Sequence, residues 1–131
     1  MEPGHEYKTA FTSCWALFEF FVMPFGLCNA PATFQRLMNT VLREKLDRCV
    51  TVYLDDILVF SRDDTQHAED LHWVLTQLRA HKLYVKRSKC EIGLGTVHYL
   101  GHVISAGTVA MDPDKIRAIA DWPAPTCQKE V

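Results

Sequence analysis

The sequence lacks several features that would each announce a function. Fourteen Lys and Arg stand against sixteen Asp and Glu, a formal net charge of −2, so the basic footprint usual for a nucleic-acid binder is missing. The five cysteines, Cys14, Cys28, Cys49, Cys90 and Cys127, are scattered and contain no Cys-X-X-Cys pair. Their odd number and spacing argue against a disulfide framework and a structural zinc, and for a reducing compartment. None of the six histidines pairs with a cysteine at zinc-finger spacing, and His98 and His102 read as surface features. Gly93 and Gly95 are too sparse for a nucleotide-binding loop. No apolar run reaches membrane-spanning length, and Met1-Glu-Pro-Gly-His-Glu6 has neither the basic start nor the apolar core of a signal peptide. Neither membrane insertion nor secretion is expected.

What remains is an ordinary globular composition, 48% hydrophobic and 23% charged over 131 residues. That is one domain, able to bury about two-thirds of the surface its unfolded chain exposes. Tyr7 to Phe11 and Leu17 to Val22 are aromatic and β-branched and predict two strands. From Pro31, the positions Phe34, Leu37, Met38, Val41 and Leu42 follow helical spacing. Asp63 with Gln66 three residues later predicts the capped start of a second helix, with Ala68, Leu71, Val74, Leu75 and Leu78 as its buried stripe. Leu83 to Lys86 and Val97 to Ile104 predict strands, with a turn at Ser105 to Gly107. Asp112-Pro113 opens a last helix that Pro123 stops. The order describes an α+β fold, a mostly antiparallel sheet with helices packed on one face.

Chemistry points to one place. Asp55 and Asp56 sit between two strand-like runs, Val50 to Leu54 and Ile57 to Phe60, which read as a tight hairpin with both acids at its tip. Asp is also an ordinary turn residue. Paired carboxylates, however, repel each other unless a cation neutralises them, and Mg²⁺ is held by one or two carboxylates while keeping positions open for phosphate oxygens and water.

Around this hairpin the chain resembles a known family. Tyr53-Leu-Asp-Asp56, within Val52 to Ser61, is similar to the Tyr-X-Asp-Asp box of reverse transcriptases in the form found in gypsy-type long-terminal-repeat retrotransposons. Val22-Met-Pro-Phe-Gly-Leu-Cys-Asn-Ala-Pro-Ala-Thr-Phe-Gln35 resembles the segment that contacts the incoming nucleotide, with Cys28 in place of the common small hydroxylated residue. Leu83 to Cys90 resembles the family's lysine-bearing motif, and Tyr99-Leu-Gly-His102 its primer grip. Four motifs stand in the family's order.

The resemblance implies a partial reverse transcriptase domain, with a polymerase palm over about 7–104 and a connection toward the thumb over about 105–131. It implies RNA-directed DNA synthesis by two-metal phosphoryl transfer, with Mg²⁺ (or Mn²⁺) held by Asp55 and Asp56. Lys89 is the implied general acid for the departing pyrophosphate, although with Lys82, Lys86 and Arg87 it also suits a solvated basic face or a backbone-phosphate contact. Phe25 and Gly26 would lie at the incoming nucleotide, where Phe25 would clash with an added 2′-hydroxyl; its plainer role is a helix-entry staple against Phe34. Gln35 would face the nucleotide or template, or be a plain polar helix position. Tyr53, Leu100, Gly101 and His102 would meet primer and template, though Tyr53 also suits a sheet face and Gly101 an ordinary bulge.

The implied partners are an RNA template, a DNA primer and deoxynucleoside triphosphates. The implied setting is a cytoplasmic virus-like particle or the nucleus. The family's third palm carboxylate, its fingers, its thumb and its ribonuclease H domain have no counterpart in the sequence. The 131 residues alone are therefore expected to be inert, and an unpaired sheet edge to promote self-association. The alternative is a non-catalytic retroelement remnant that serves as a nucleic-acid or protein interaction module.

Overall fold

Helix α1 (Ala30–Val41) begins with Pro31 in its first turn, where the missing N–H costs nothing. It carries Met38 and Val41 inward. Strands β3 (Val50–Tyr53) and β4 (Asp56–Val59) follow as an antiparallel hairpin, with Val50 opposite Val59 and Val52 opposite Ile57. Because side chains alternate along a strand, these four project from one face. That face meets α1 and helix α2 (Asp64–Ala80), so the core consists of Met38, Val41, Leu42, Val50, Val52, Val74 and Leu78, flanked by Phe34, Ile57, Val59 and Trp73. Asp63 caps α2 by accepting the Gln66 N–H at 2.9 Å, as its spacing predicts.

The computed structural model describes residues 1–124. Before α1 lie two short strands, β1 (Phe11–Thr12) and β2 (Leu17–Phe18). After α2 come β5 (Thr96–Tyr99), β6 (His102–Ser105) and β7 (Thr108–Met111), a three-stranded antiparallel meander. Helix α3 (Pro113–Ala120) follows, capped by Asp112, which accepts the Asp114 N–H at 3.0 Å. The antiparallel pairing is thus divided among three small sheets, and the helices that close the core lie on one face of the β3–β4 hairpin. Among the described residues no helix is long and apolar enough to cross a membrane. Cys14, Cys28, Cys49 and Cys90 are free thiols, and Cys127 lies outside the described residues.

Several elements differ from the sequence expectation. Tyr7 is in a short 3-10 turn over Glu6–Thr9, and the first strand is confined to Phe11–Thr12. The second strand ends at Phe18, and beyond it the Thr9 hydroxyl accepts the Phe20 N–H at 2.8 Å. Leu83 to Lys86 has no strand partner among the described residues and leads into a 3-10 turn at Arg87–Lys89. Val97 to Ile104, by contrast, forms the hairpin that the primer-grip resemblance implies, its strands joined by Leu100 and Gly101, which both take positive φ (50° and 76°), the geometry of a type I′ turn. Along α2 the buried line runs Asp70, Val74, Leu78, while Ala68 and Leu75 are exposed.

Candidate active site

The hairpin tip is shifted by one residue from its expected place. Tyr53 pairs with Asp56, so the two connecting residues are Leu54 and Asp55, and Asp56 is the first residue of β4. Leu54 takes φ +53°, a left-handed conformation that a bulky side chain rarely adopts. Sheet alternation puts Tyr53 and Asp56 on the face away from the helices, where both are exposed. Asp55 is exposed in the turn itself.

Two elements brace this turn. On the α1 side, the Gln35 Oε1 accepts the Leu54 N–H at 2.6 Å, and its Nε2 donates to the Val52 carbonyl at 3.0 Å and to Asn39 Oδ1 at 2.8 Å. On the meander side, the Tyr99 hydroxyl donates to the Asp56 carbonyl at 3.5 Å, a long bond. Burial raises the Tyr99 phenol above its usual pKa, with the Asp56 charge acting in the same direction and Thr51 against it.

An open groove of about 600 Å³ runs from Asp55 and Asp56 past Leu71 and Leu75 to Lys89 and Tyr99. Both candidate acids and the candidate lysine therefore line one concave surface, although they lie more than thirty residues apart in sequence. Lys89 is exposed at the end of its 3-10 turn.

The other candidates fall around this centre. Phe25 is 105% exposed, which rules out the staple against Phe34 and leaves its ring free in solvent. Gly26 beside it takes φ +93° with open space where a Cβ would be. Leu100 and His102 are exposed on the second hairpin. Gly101 is no bulge: it is the second turn residue, and a Cβ there would collide with the Lys115 side chain of α3. His98 approaches Asp112 at 3.4 Å on the surface.

A second polar cluster went unread in the sequence. Asp70, 3% exposed, takes an ion pair from Lys45 at 2.7 Å and hydrogen bonds from Ser61 at 2.7 Å and Gln66 at 3.2 Å. These partners hold its carboxyl down at about pKa 2. The Lys45 ammonium also sits 5.3 Å from the Trp73 ring centre. The available signal was the four-residue spacing Gln66, Asp70, Val74, Leu78, which places an acid in line with two core residues.

Two exposed carboxylates facing a groove are hard oxygen donors of the type Mg²⁺ takes singly or in pairs. Among the described residues no group of three or more His, Cys, Asp or Glu side chains is gathered that could enclose an ion. The donor set fits a largely hydrated divalent cation.

Comparison with known proteins identifies the class. Residues 5–104 match the family described as reverse transcriptase (RNA-dependent DNA polymerase), and the chain belongs to that family. It is 42% identical over 124 residues, 95% of its length, to a retrovirus-related Pol polyprotein from transposon 297 of Drosophila melanogaster. It is 36% identical over the same span to the corresponding polyprotein from transposon gypsy of that organism. The chain spans 12% of the length of each of these two polyproteins. In structure it is similar to a foamy viral protease-reverse transcriptase solved in complex with double-stranded DNA, with TM-score 0.84 at 24% identity, covering 95% of this chain and 22% of that one. The α+β architecture is that of a reverse transcriptase fragment.

Proposed function

We propose that this chain is the palm segment of a retrotransposon polymerase and supplies Asp55 and Asp56 to RNA-directed DNA synthesis. The observation that carries the reading is the groove shared by the two exposed acids and Lys89, in a chain of reverse transcriptase family. Asp55 and Asp56 would hold Mg²⁺ or Mn²⁺ together with a carboxylate from outside these residues. When bound, divalent ions lower the pKa of the attacking primer hydroxyl and neutralise charge on the triphosphate.

The chain's own groups do the rest. The hairpin fixes the direction of the carboxylates better than a loose loop would. Lys89, protonated, donates its proton to the departing pyrophosphate oxygen and holds that leaving group by charge. Phe25, free in solvent, packs against the sugar of the incoming nucleotide. Tyr53, on the open face with Asp56, meets the primer-template, as do Leu100 and His102 on the second hairpin. The partners are an RNA template, a DNA primer and deoxynucleoside triphosphates.

The test is a chimera in which these residues replace the matching segment of an active retrotransposon polymerase. Incorporation of dTTP on poly(rA)·oligo(dT) with Mg²⁺ is expected from the chimera and not from the 131-residue chain. Asp55→Asn should lower it by many powers of ten, since a lost metal ligand costs on the order of several kcal/mol. Extension that survives Asp55→Asn would refute the assignment, and so would robust extension by the chain alone.

A further inference from the structure

We infer that Gln35 is a positioning residue, a latch that fixes the turn carrying Asp55 by standing in for a neighbouring strand. The inference rests on the proposed role of Asp55 and deepens it. In an antiparallel hairpin closed by the pair Tyr53 and Asp56, the backbone groups of Val52 and Leu54 point away from β4. They would be met by the next strand of a wider sheet, but among the described residues no second strand pairs with β3. The Gln35 amide takes that place, receiving the Leu54 N–H at 2.6 Å and donating to the Val52 carbonyl at 3.0 Å.

Only a side chain with both an acceptor and a donor can serve the two groups at once. The second N–H of the amide is taken by Asn39 Oδ1 at 2.8 Å, one helical turn further along α1, which fixes which way the amide faces. With its oxygen and both N–H groups engaged, Gln35 has less to offer a nucleotide or template than its position in the sequence suggests.

The latch matters because of what it holds. Leu54 sits at φ +53°, and backbone in such a region persists only where its surroundings over-determine it. Asp55 is the next residue. Without the Gln35 bond the turn would relax toward commoner geometries and swing the Asp55 carboxylate, and misplacement by about 1 Å can cost about a hundredfold in rate.

Two measurements test this. In the 131-residue chain, amide hydrogen exchange is followed by NMR in Gln35→Met, which keeps the length and helix preference but has no amide. Exchange at Leu54 should accelerate roughly tenfold, the worth of one hydrogen bond, with the core amides of Val74 and Leu78 unchanged. Gln35→Glu, which keeps the acceptor, should restore part of that protection. No change at Leu54, or equal acceleration at all three sites, overturns the latch.

In the active chimera, Gln35→Met should lower kcat roughly tenfold to a hundredfold, with KM for dTTP within about twofold. A raised KM at unchanged kcat would make Gln35 a nucleotide contact and overturn the proposal while leaving the role of Asp55 intact. If Asp55→Asn itself leaves activity whole, the polymerase reading fails on its own evidence, and the exchange measurement still decides the latch.

Discussion

The Lys45 ammonium lies 2.7 Å from the Asp70 carboxylate, tying the chain just beyond α1 to the middle of α2 behind the acid hairpin. Ser61, two residues past β4, donates to the other oxygen of the same carboxylate at 2.7 Å. One buried acid of α2 thus joins the segment after α1 to the segment after the hairpin that bears Asp55 and Asp56. Its depressed pKa belongs to this network: the Lys45 hydrogen bond lowers it most, Ser61 next, and burial works against both.

Acid unfolding should report this carboxyl. Its folded pKa of about 2 lies below the ordinary value of 3.8, so its contribution is fully present above about pH 4 and is lost as pH falls through 2. Asp70→Asn should flatten the fall in stability over that window. Lys45→Met leaves a buried carboxylate without its cation and should destabilise the chain at pH 7. Urea unfolding of the two variants at pH 7 and pH 3 checks both; an unchanged acid limb in Asp70→Asn would show that other groups govern it.

Phe25 gives the opposite expectation. A ring 105% exposed contributes no packing, so Phe25→Ala should change stability by less than about 0.5 kcal/mol. In the chimera the same substitution should weaken selection against ribonucleotides. A large loss of stability would mean that the ring packs in solution as a helix-entry staple.

Metal binding by the isolated chain should be weak. Two carboxylates without a third leave a divalent ion mostly hydrated, so calorimetry with Mn²⁺ should give a dissociation constant in the millimolar range, on the scale of weak oxygen-ligand sites. Asp55→Asn should abolish it. A tight site that survives that change would place the metal elsewhere.

How far the sequence went depends on the range of the interaction. The helix starts at Asp63 and Asp112 were legible because a cap is a contact between residues two or three apart. The acid hairpin was legible to within one residue. Its tip falls at Leu54 and Asp55 because Tyr53 pairs with Asp56, a register that composition leaves open for two such apolar runs. The sharing of one groove by Asp55, Asp56 and Lys89 was suggested only by family resemblance, since nothing local links residues so far apart. Asp70 was missed because its partner Lys45 lies 25 residues away. For Gln35 the pattern leaves a ligand contact and a plain polar helix position both open, because nothing local reveals a bond to a turn 19 residues on.

Self-association is the remaining expectation, and the structure narrows it to one side of the hairpin. On β3 the outward carbonyls are met from within the chain: Val50 by the Asp47 N–H at 2.8 Å and Val52 by Gln35. Among the described residues no strand pairs the far side of β4, so the outward backbone groups of Ile57 and Val59 form the open edge. The purified chain should therefore dimerise or aggregate through β4 rather than β3. Leu58 lies on β4 outside the core cluster, on the face opposite Ile57 and Val59, and a charge there should discourage a second strand at little cost to the fold. Sedimentation velocity is expected to show a concentration-dependent species that Leu58→Lys converts to monomer, and that co-expression with an upstream palm segment of a relative also removes. A monomer at all concentrations would mean that the β4 edge is covered in solution. Association unaffected by Leu58→Lys would move the contact to the exposed aromatic residues Trp15, Phe21 and Phe25.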